Sequence, residues 1–103
     1  SDIAIVLGNA LDNAIEAAEK TDGDKTVRLF AALENELVAI SIINPVKENV
    51  NTEKMTSSKK NKEFHGFGLI SMKQIVEKYK GEITFECENN VFTTIVFMSN
   101  IKL

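Results

Sequence analysis

The first twenty residues carry apolar side chains at helical spacing. They recur every three or four positions, at Ile3, Leu7, Ala10, Leu11, Ala14 and Ala18. This period predicts an amphipathic helix over residues 2–20. Ser1 or Asp2 can accept hydrogen bonds from the first free amides, and Gly23 can supply the left-handed turn that ends many helices.

The next stretch predicts a hairpin followed by a long polar loop. Residues 26–33 and 37–44 are rich in Val, Leu, Ile and Phe, and a short polar turn joins them. Pro45 has no amide hydrogen, so the second strand should end before it. Residues 45–65 show no apolar period, and a loop of this length inside one fold is typical of a lid over a site.

The last third predicts a helix and a second hairpin. Helical spacing resumes at Leu69 and continues to Tyr79, with Gly81 ending the run. Residues 82–88 alternate between apolar and polar, and residues 91–98 return as a strand after Asn89-Asn90, a pair suited to positive dihedrals.

The order helix, two strands, loop, helix, two strands predicts an α+β fold. We expect a two-layer α/β sandwich with a mixed, mostly antiparallel sheet and helices on one face. The 103 residues suit a single domain, 1–103.

Composition narrows the possible functions. A net charge of −3 disfavours nucleic acid as a partner. One cysteine, Cys87, cannot form an internal disulfide and is expected to pack as a small apolar residue. Polar residues interrupt the long apolar stretch 3–18, so we do not expect it to cross a membrane.

Two amides and a carboxylate share one side of the first helix. Asn9, Asn13 and Glu16 follow helical spacing, on a side that we expect to lie opposite the alanine stripe. Amide oxygens suit Mg²⁺, and amide NH₂ groups can meet phosphate or ribose oxygens. A solvated polar face is the alternative.

A glycine-containing turn precedes the second helix. Gly66-Phe67-Gly68 would let backbone amides approach a phosphate at a helix N-terminus. A flexible hinge ending in a helix cap is the alternative. Lys59 and Lys60 in the loop could reach bound phosphates, or could simply be solvated.

Two further residues are candidates for a site. Asn44, at a strand end, could accept a hydrogen bond from an amino group such as that of adenine, or could serve only as a turn residue. His65 has no cluster or triad around it that favours a metal site or a hydrolase, and we expect it to line a pocket or anchor the lid.

Together these pieces resemble the ATPase domain shared by histidine kinases, gyrase, the Hsp90 chaperones and the MutL repair proteins. Asn9 to Ala14 is similar to the N box, and His65-Gly66-Phe67-Gly68-Leu69 is similar to the G box that follows the ATP lid. The residues of the first helix are similar to those of the citrate-sensor and peptide-pheromone-sensor histidine kinases, and the lid and G box resemble the pheromone-sensor branch.

The resemblance implies a Bergerat-type fold that binds ATP and Mg²⁺. Asn13 would be the Mg²⁺ ligand and Asn9 a phosphate or metal-shell contact. The implied nucleotide-binding set is Asn9, Asn13, Asn44, Lys59, Lys60, His65, Gly66, Phe67, Gly68 and Leu69. A Thr of the last strand often contributes as well, and it could be Thr93 or Thr94.

The chain departs from the family at its adenine box. The family usually has Asp-x-Gly-x-Gly there, whereas this chain has Asn44-Pro45-Val46. Asn44 would stand in for the Asp, and we expect weaker nucleotide affinity without the ionised carboxylate. ATP-hydrolysing relatives have Glu at the position of Asn9. Since Asn cannot take a proton, transfer to a partner is favoured over hydrolysis.

The implied function is that of a histidine protein kinase domain. It would pass the γ-phosphoryl of ATP to a histidine on dimerisation helices outside the chain, with a response regulator downstream. The parent would be membrane-anchored and this domain cytoplasmic. The alternatives are a stand-alone serine kinase of the anti-sigma type and a degenerate scaffold that no longer binds ATP.

Overall fold

Two helices lie against one face of an antiparallel sheet. The computed structural model describes residues 1–53 and 71–99. Helix α1 spans Asp2–Glu19, and residues 71–78 are helical and are labelled α2. The strands, in chain order, are β1 Arg28–Glu34, β2 Leu37–Pro45, β3 Glu82–Glu88 and β4 Val91–Ser99. The predicted two-layer α+β fold is confirmed.

The strands are arranged in the order β1-β2-β4-β3. Each of the three neighbouring pairs is antiparallel, so the sheet of the described residues contains no parallel pair, although a mixed sheet was predicted. Both hairpins turn on two residues with positive φ, Asn35-Glu36 at 50° and 67° and Asn89-Asn90 at 53° and 60°. These dihedrals are those of the type I′ turn, whose twist matches that of the strands.

The core lies between the helices and the two central strands. Every second residue of β2 and β4 is buried, because successive side chains of a strand point to opposite faces. α1 meets this face through small side chains, which let the helix approach the sheet closely. The buried apolar residues of the four elements are Val6, Ala10, Ala14, Ala18, Val38, Ile40, Ile42, Met72, Val76, Phe92, Val96 and Met98. β1, by contrast, is exposed along its whole length.

The ends of α1 are set by hydroxyl side chains. Ser1 is the N-cap, and its Oγ accepts from the Ala4 amide at 3.4 Å. At the other end the Thr21 amide and hydroxyl both donate to the Ala18 carbonyl, at 3.1 and 2.8 Å. The prediction that Gly23 supplies a left-handed turn at this end is wrong, because the helix ends at Glu19 with Lys20 as its C-cap and Gly23 does not adopt a left-handed φ. Nowhere in the described residues is a helix both long and apolar enough to cross a membrane.

The segment after α2 ends in a left-handed turn. Lys80 has φ 53°, and the Gly81 amide donates to the Val76 carbonyl at 2.9 Å, which is the Schellman arrangement. A side chain at Gly81 would overlap the carbonyl of Phe97, so only glycine fits between the helix end and β4. The prediction that the helical run ends here is confirmed.

Where the strand boundaries differ from prediction, they do so by one or two residues. β1 begins at Arg28 rather than at residue 26, because the Asp24 carboxylate accepts from the Thr26 amide at 2.9 Å and holds a turn there. β2 includes Pro45, which pairs with Val91, so the strand runs one residue past its predicted end. Of the predicted lid, residues 54–65 lie outside the described part of the chain.

Candidate functional site

A hollow opens between α1, α2 and the face of the sheet that they cover. It encloses about 480 Å³ of space outside the protein atoms, including open solvent at its mouth. Small-molecule sites are mostly apolar with a few polar groups. The lining fits that description: it consists of Ala10, Asn13, Ala14, Ala17, Asn44, Val46, Val50, Met72, Phe85, Phe92 and Thr94.

One wall of the hollow is the alanine face of α1. Asn13 lies three residues after Ala10 and four before Ala17, so helical geometry brings all three to the same wall. The prediction that Asn13 points away from the alanine stripe is therefore wrong. Asn9, one turn earlier, is half-buried and outside the lining, and Glu16 is exposed.

The floor of the hollow carries two buried polar side chains. Asn44 of β2 is 3% exposed and Thr94 of β4 is 8% exposed. Because the register pairs Asn44 with Phe92 and Ile42 with Thr94, the two polar side chains are diagonal neighbours on the helix-facing side. Thr93 lies on the opposite side of the sheet, so Thr94 is the threonine of the last strand that faces the hollow.

The side chain of Asn44 is held by the backbone of the next residue. Its Nδ2 donates to the Pro45 carbonyl at 3.0 Å, which leaves the Oδ1 lone pairs for another partner. Asn44 therefore offers the hollow an acceptor, as a carboxylate would, without the charge. No residue of the described lining is ionisable, so this lining offers apolar surface and neutral hydrogen-bonding groups.

The remaining walls are apolar and were not singled out from the sequence. Phe85 and Phe92, on neighbouring strands, have ring centroids 5.9 Å apart. Val46 and Val50 close the side beyond the end of β2, and Met72 contributes from α2. Their alternating or helical apolar spacing predicted burial, but that signal does not separate a core position from a pocket wall.

The predicted loop and G-box residues lie outside the described part of the chain. They are Lys59, Lys60, His65, Gly66, Phe67, Gly68 and Leu69. Their assignment to a nucleotide site stays a prediction. The described helix that follows them contributes Met72 to the lining of the hollow.

Comparison with known proteins gives both sequence and structural relatives. The family model of the GHKL domain matches residues 1–99. A protein of Halalkalibacterium halodurans named "Probable C4-dicarboxylate sensor kinase" is 32% identical over 99 residues, which cover 90% of this chain and 19% of that protein. This chain thus spans about a fifth of the length of the curated relative.

Solved structures share the fold at lower identity. The catalytic domain of the histidine kinase ThkA has a TM-score of 0.73 at 24% identity, covering 95% of this chain and 65% of that one. The Acinetobacter baumannii histidine kinase AdeS has a TM-score of 0.70 at 17% identity, covering 98% of this chain and 47% of that one. Because the family model extends over nearly all residues, the chain belongs to the GHKL domain family, and its fold is that of histidine-kinase catalytic domains.

Proposed function

We propose that this chain is the ATP-binding catalytic domain of a two-component sensor histidine kinase. One observation carries the proposal: Asn13 of α1 and the Asn44–Thr94 pair of the sheet line the same apolar hollow. The family and the sensor-kinase relative support the same assignment. Transfer would be to a histidine on dimerisation helices outside residues 1–103, with a response regulator downstream. The parent would be membrane-anchored, with this domain on the cytosolic side.

The floor of the hollow suits the base of ATP. The Asn44 Oδ1 would accept from the adenine amino group, while Nδ2 remains on the Pro45 carbonyl. The Thr94 hydroxyl, as donor or acceptor, would meet a ring nitrogen or the amino group. Phe85, Phe92 and Val50 would cover the faces of the ring. A neutral amide makes a weaker hydrogen bond than a carboxylate, so we expect modest affinity.

The α1 wall suits the metal-bound phosphates. Mg²⁺ usually takes one or two protein ligands and completes its shell with substrate phosphates and water. A single amide oxygen from Asn13 therefore fits a metal held mainly by the triphosphate. Asn9, one turn away, would contact a phosphate or a metal-bound water. Lys59, Lys60 and the Gly66-Phe67-Gly68 turn are proposed to complete the phosphate end.

Asn9, at the position where ATP-hydrolysing relatives have Glu, favours transfer over hydrolysis. ATP would supply the phosphoryl group, and the described lining offers no group that could take a proton from water. The contribution of this chain is positioning: it would hold the nucleotide so that its γ-phosphate faces an acceptor from outside.

Calorimetric titration with ATP and Mg²⁺ tests the binding proposal. We expect saturable binding that Asn13→Ala weakens and that Glu19→Gln, an exposed change near the end of the same helix, leaves intact. No heat and no rise in melting temperature up to millimolar nucleotide would favour the scaffold alternative.

A second measurement separates histidine from serine as the acceptor. In the longer parent protein, radiolabelled phosphate from ATP should be lost in acid and retained in base, as expected for phosphohistidine. The opposite stability would favour the serine-kinase alternative.

A further inference from the structure

The turn between β3 and β4 is tied to the segment that closes one side of the hollow. Asn90 donates its backbone amide to Asn49 Oδ1 at 2.8 Å, and its Nδ2 donates to the carbonyls of Val46 and Lys47 at 3.2 and 2.8 Å. The Asn90 carbonyl in turn accepts from the Val46 amide at 2.9 Å. One turn residue therefore holds residues 46–49 through four hydrogen bonds.

Cys87 extends this tie to Val50. The Val50 amide donates to Cys87 Sγ at 3.3 Å, and the thiol lies 3.6 Å from Asn49 Oδ1. Residues 46–50 belong to no strand or helix. Hydrogen bonds from the end of the β3–β4 hairpin hold this segment in place. Its first and last residues, Val46 and Val50, line the hollow.

We propose that Asn90 is a positioning residue for the nucleotide, acting through the wall that Val46 and Val50 form. The inference rests on the proposed function. Asn90 is not itself among the residues that line the hollow, but its hydrogen bonds hold the segment that carries Val46 and Val50. Its hydrogen bonds fix Val46, Lys47 and Asn49, the residues that lead to Val50. Through them Asn90 would set the width of the slot that Val50 forms with Phe85 and Thr94 for a flat ring.

Asparagine suits this position for two reasons. Its φ of 60° lies in the left-handed region, which asparagine tolerates better than most residues. Its NH₂ group also has two hydrogens, one for each carbonyl of Val46 and Lys47. Glycine would keep the first property and lose the second.

The neighbouring turn residue gives a matched control. Asn89 has φ 53° and an exposed side chain. Asn89→Gly and Asn90→Gly make the same chemical change on the same turn, and both keep a backbone that glycine adopts freely. Only Asn90→Gly removes the hydrogen bonds to the carbonyls of Val46 and Lys47.

The test is Mg²⁺-ATP affinity, measured by calorimetry well below the melting temperature. We expect Asn90→Gly to weaken binding by about five- to tenfold, as the loss of two hydrogen bonds to a pocket wall would. Asn89→Gly should bind within about twofold of the parent chain. Asn90→Asp, which keeps the shape but has no NH₂ donor, should weaken binding as well and serves as a second variant should Asn90→Gly fail to fold.

A double-mutant cycle separates positioning from general stability. If Asn90 acts through Val50, then Asn90→Gly should add less than about twofold in a Val50→Ala background, because coupled residues are not additive. Unchanged affinity in both Asn90 variants, or fully additive losses in the cycle, would overturn the inference. Absence of binding by the unmodified chain would instead overturn the proposed function itself.

Discussion

The Tyr79 hydroxyl donates to Asp2 Oδ2 at 2.6 Å, across 77 residues of sequence. Lys78 Nζ approaches the same oxygen at 3.0 Å. Asp2 lies at the start of α1 and Tyr79 directly after α2, so this contact joins the ends of α1 and α2, the helices that border the hollow. Both hydrogen bonds lower the pKa of Asp2, and the one from Tyr79 has the larger effect.

This contact predicts a pH-dependent contribution to stability. The pKa of Asp2 is lower in the folded chain than in the unfolded chain. The ionised carboxylate therefore stabilises the folded chain above the unfolded pKa of about 4, and this stabilisation is lost as the pH falls through the folded pKa. Tyr79→Phe should therefore unfold at lower urea than the parent chain at pH 7, and the two midpoints should converge on acidification. A gap that stays constant from pH 7 to pH 2 would contradict this.

Replacing Gly81 or Gly8 by alanine should change the free energy of unfolding in opposite directions. Gly81→Ala would overlap the Phe97 carbonyl and force backbone movement, and we expect a loss of about 1–3 kcal/mol. Gly8 has open space around it in the interior of α1, so Gly8→Ala should stabilise by about 0.5–1 kcal/mol. Urea unfolding of both variants checks the pair, and equal effects would refute the packing argument.

The first hairpin turn carries removable strain. Glu36 has φ 67° in the Asn35-Glu36 turn, where a side chain is disfavoured and Asn-Gly is preferred. Glu36→Gly should raise the free energy of unfolding by about 0.5–1 kcal/mol, part of the relief being offset by the flexibility of glycine in the unfolded chain. A lower melting temperature in differential scanning calorimetry would run against it.

Filling the hollow should block the nucleotide without unfolding the chain. Ala17 is half-buried and lines the hollow, and leucine is a good helix former. Ala17→Leu should keep the melting temperature within a few degrees and weaken Mg²⁺-ATP binding by about tenfold or more, since the added side chain occupies ligand space. Glu19→Leu, an exposed change on the same helix, is the control. Equal binding by both variants would place the ligand elsewhere.

Local sequence signals were sufficient for most of the fold. Helical spacing located α1, alternation located β3 with both of its ends correct, and Asn89-Asn90 indicated a tight turn because asparagine tolerates positive φ. These features depend on residues close in sequence, so each is visible as a regular spacing or as a choice of residue type. Asn13 and Asn44 became candidates from the same local signals, Asn13 from its helical spacing to Asn9 and Asn44 from its place at a strand end, although each position also had an explanation that needed no site.

Distant contacts decided the rest. Whether Thr93 or Thr94 faces the hollow follows from the register of β4 against β2, and the exposure of Asn13 to the hollow follows from how α1 is rotated on the sheet. The roles of Asn90 and Tyr79 depend on partners about 41 and 77 residues away, with no spacing pattern to reveal them. Packing and hydrogen bonds between separate elements set these relationships, because their energies depend on which surfaces meet and not on the order of residues along the chain.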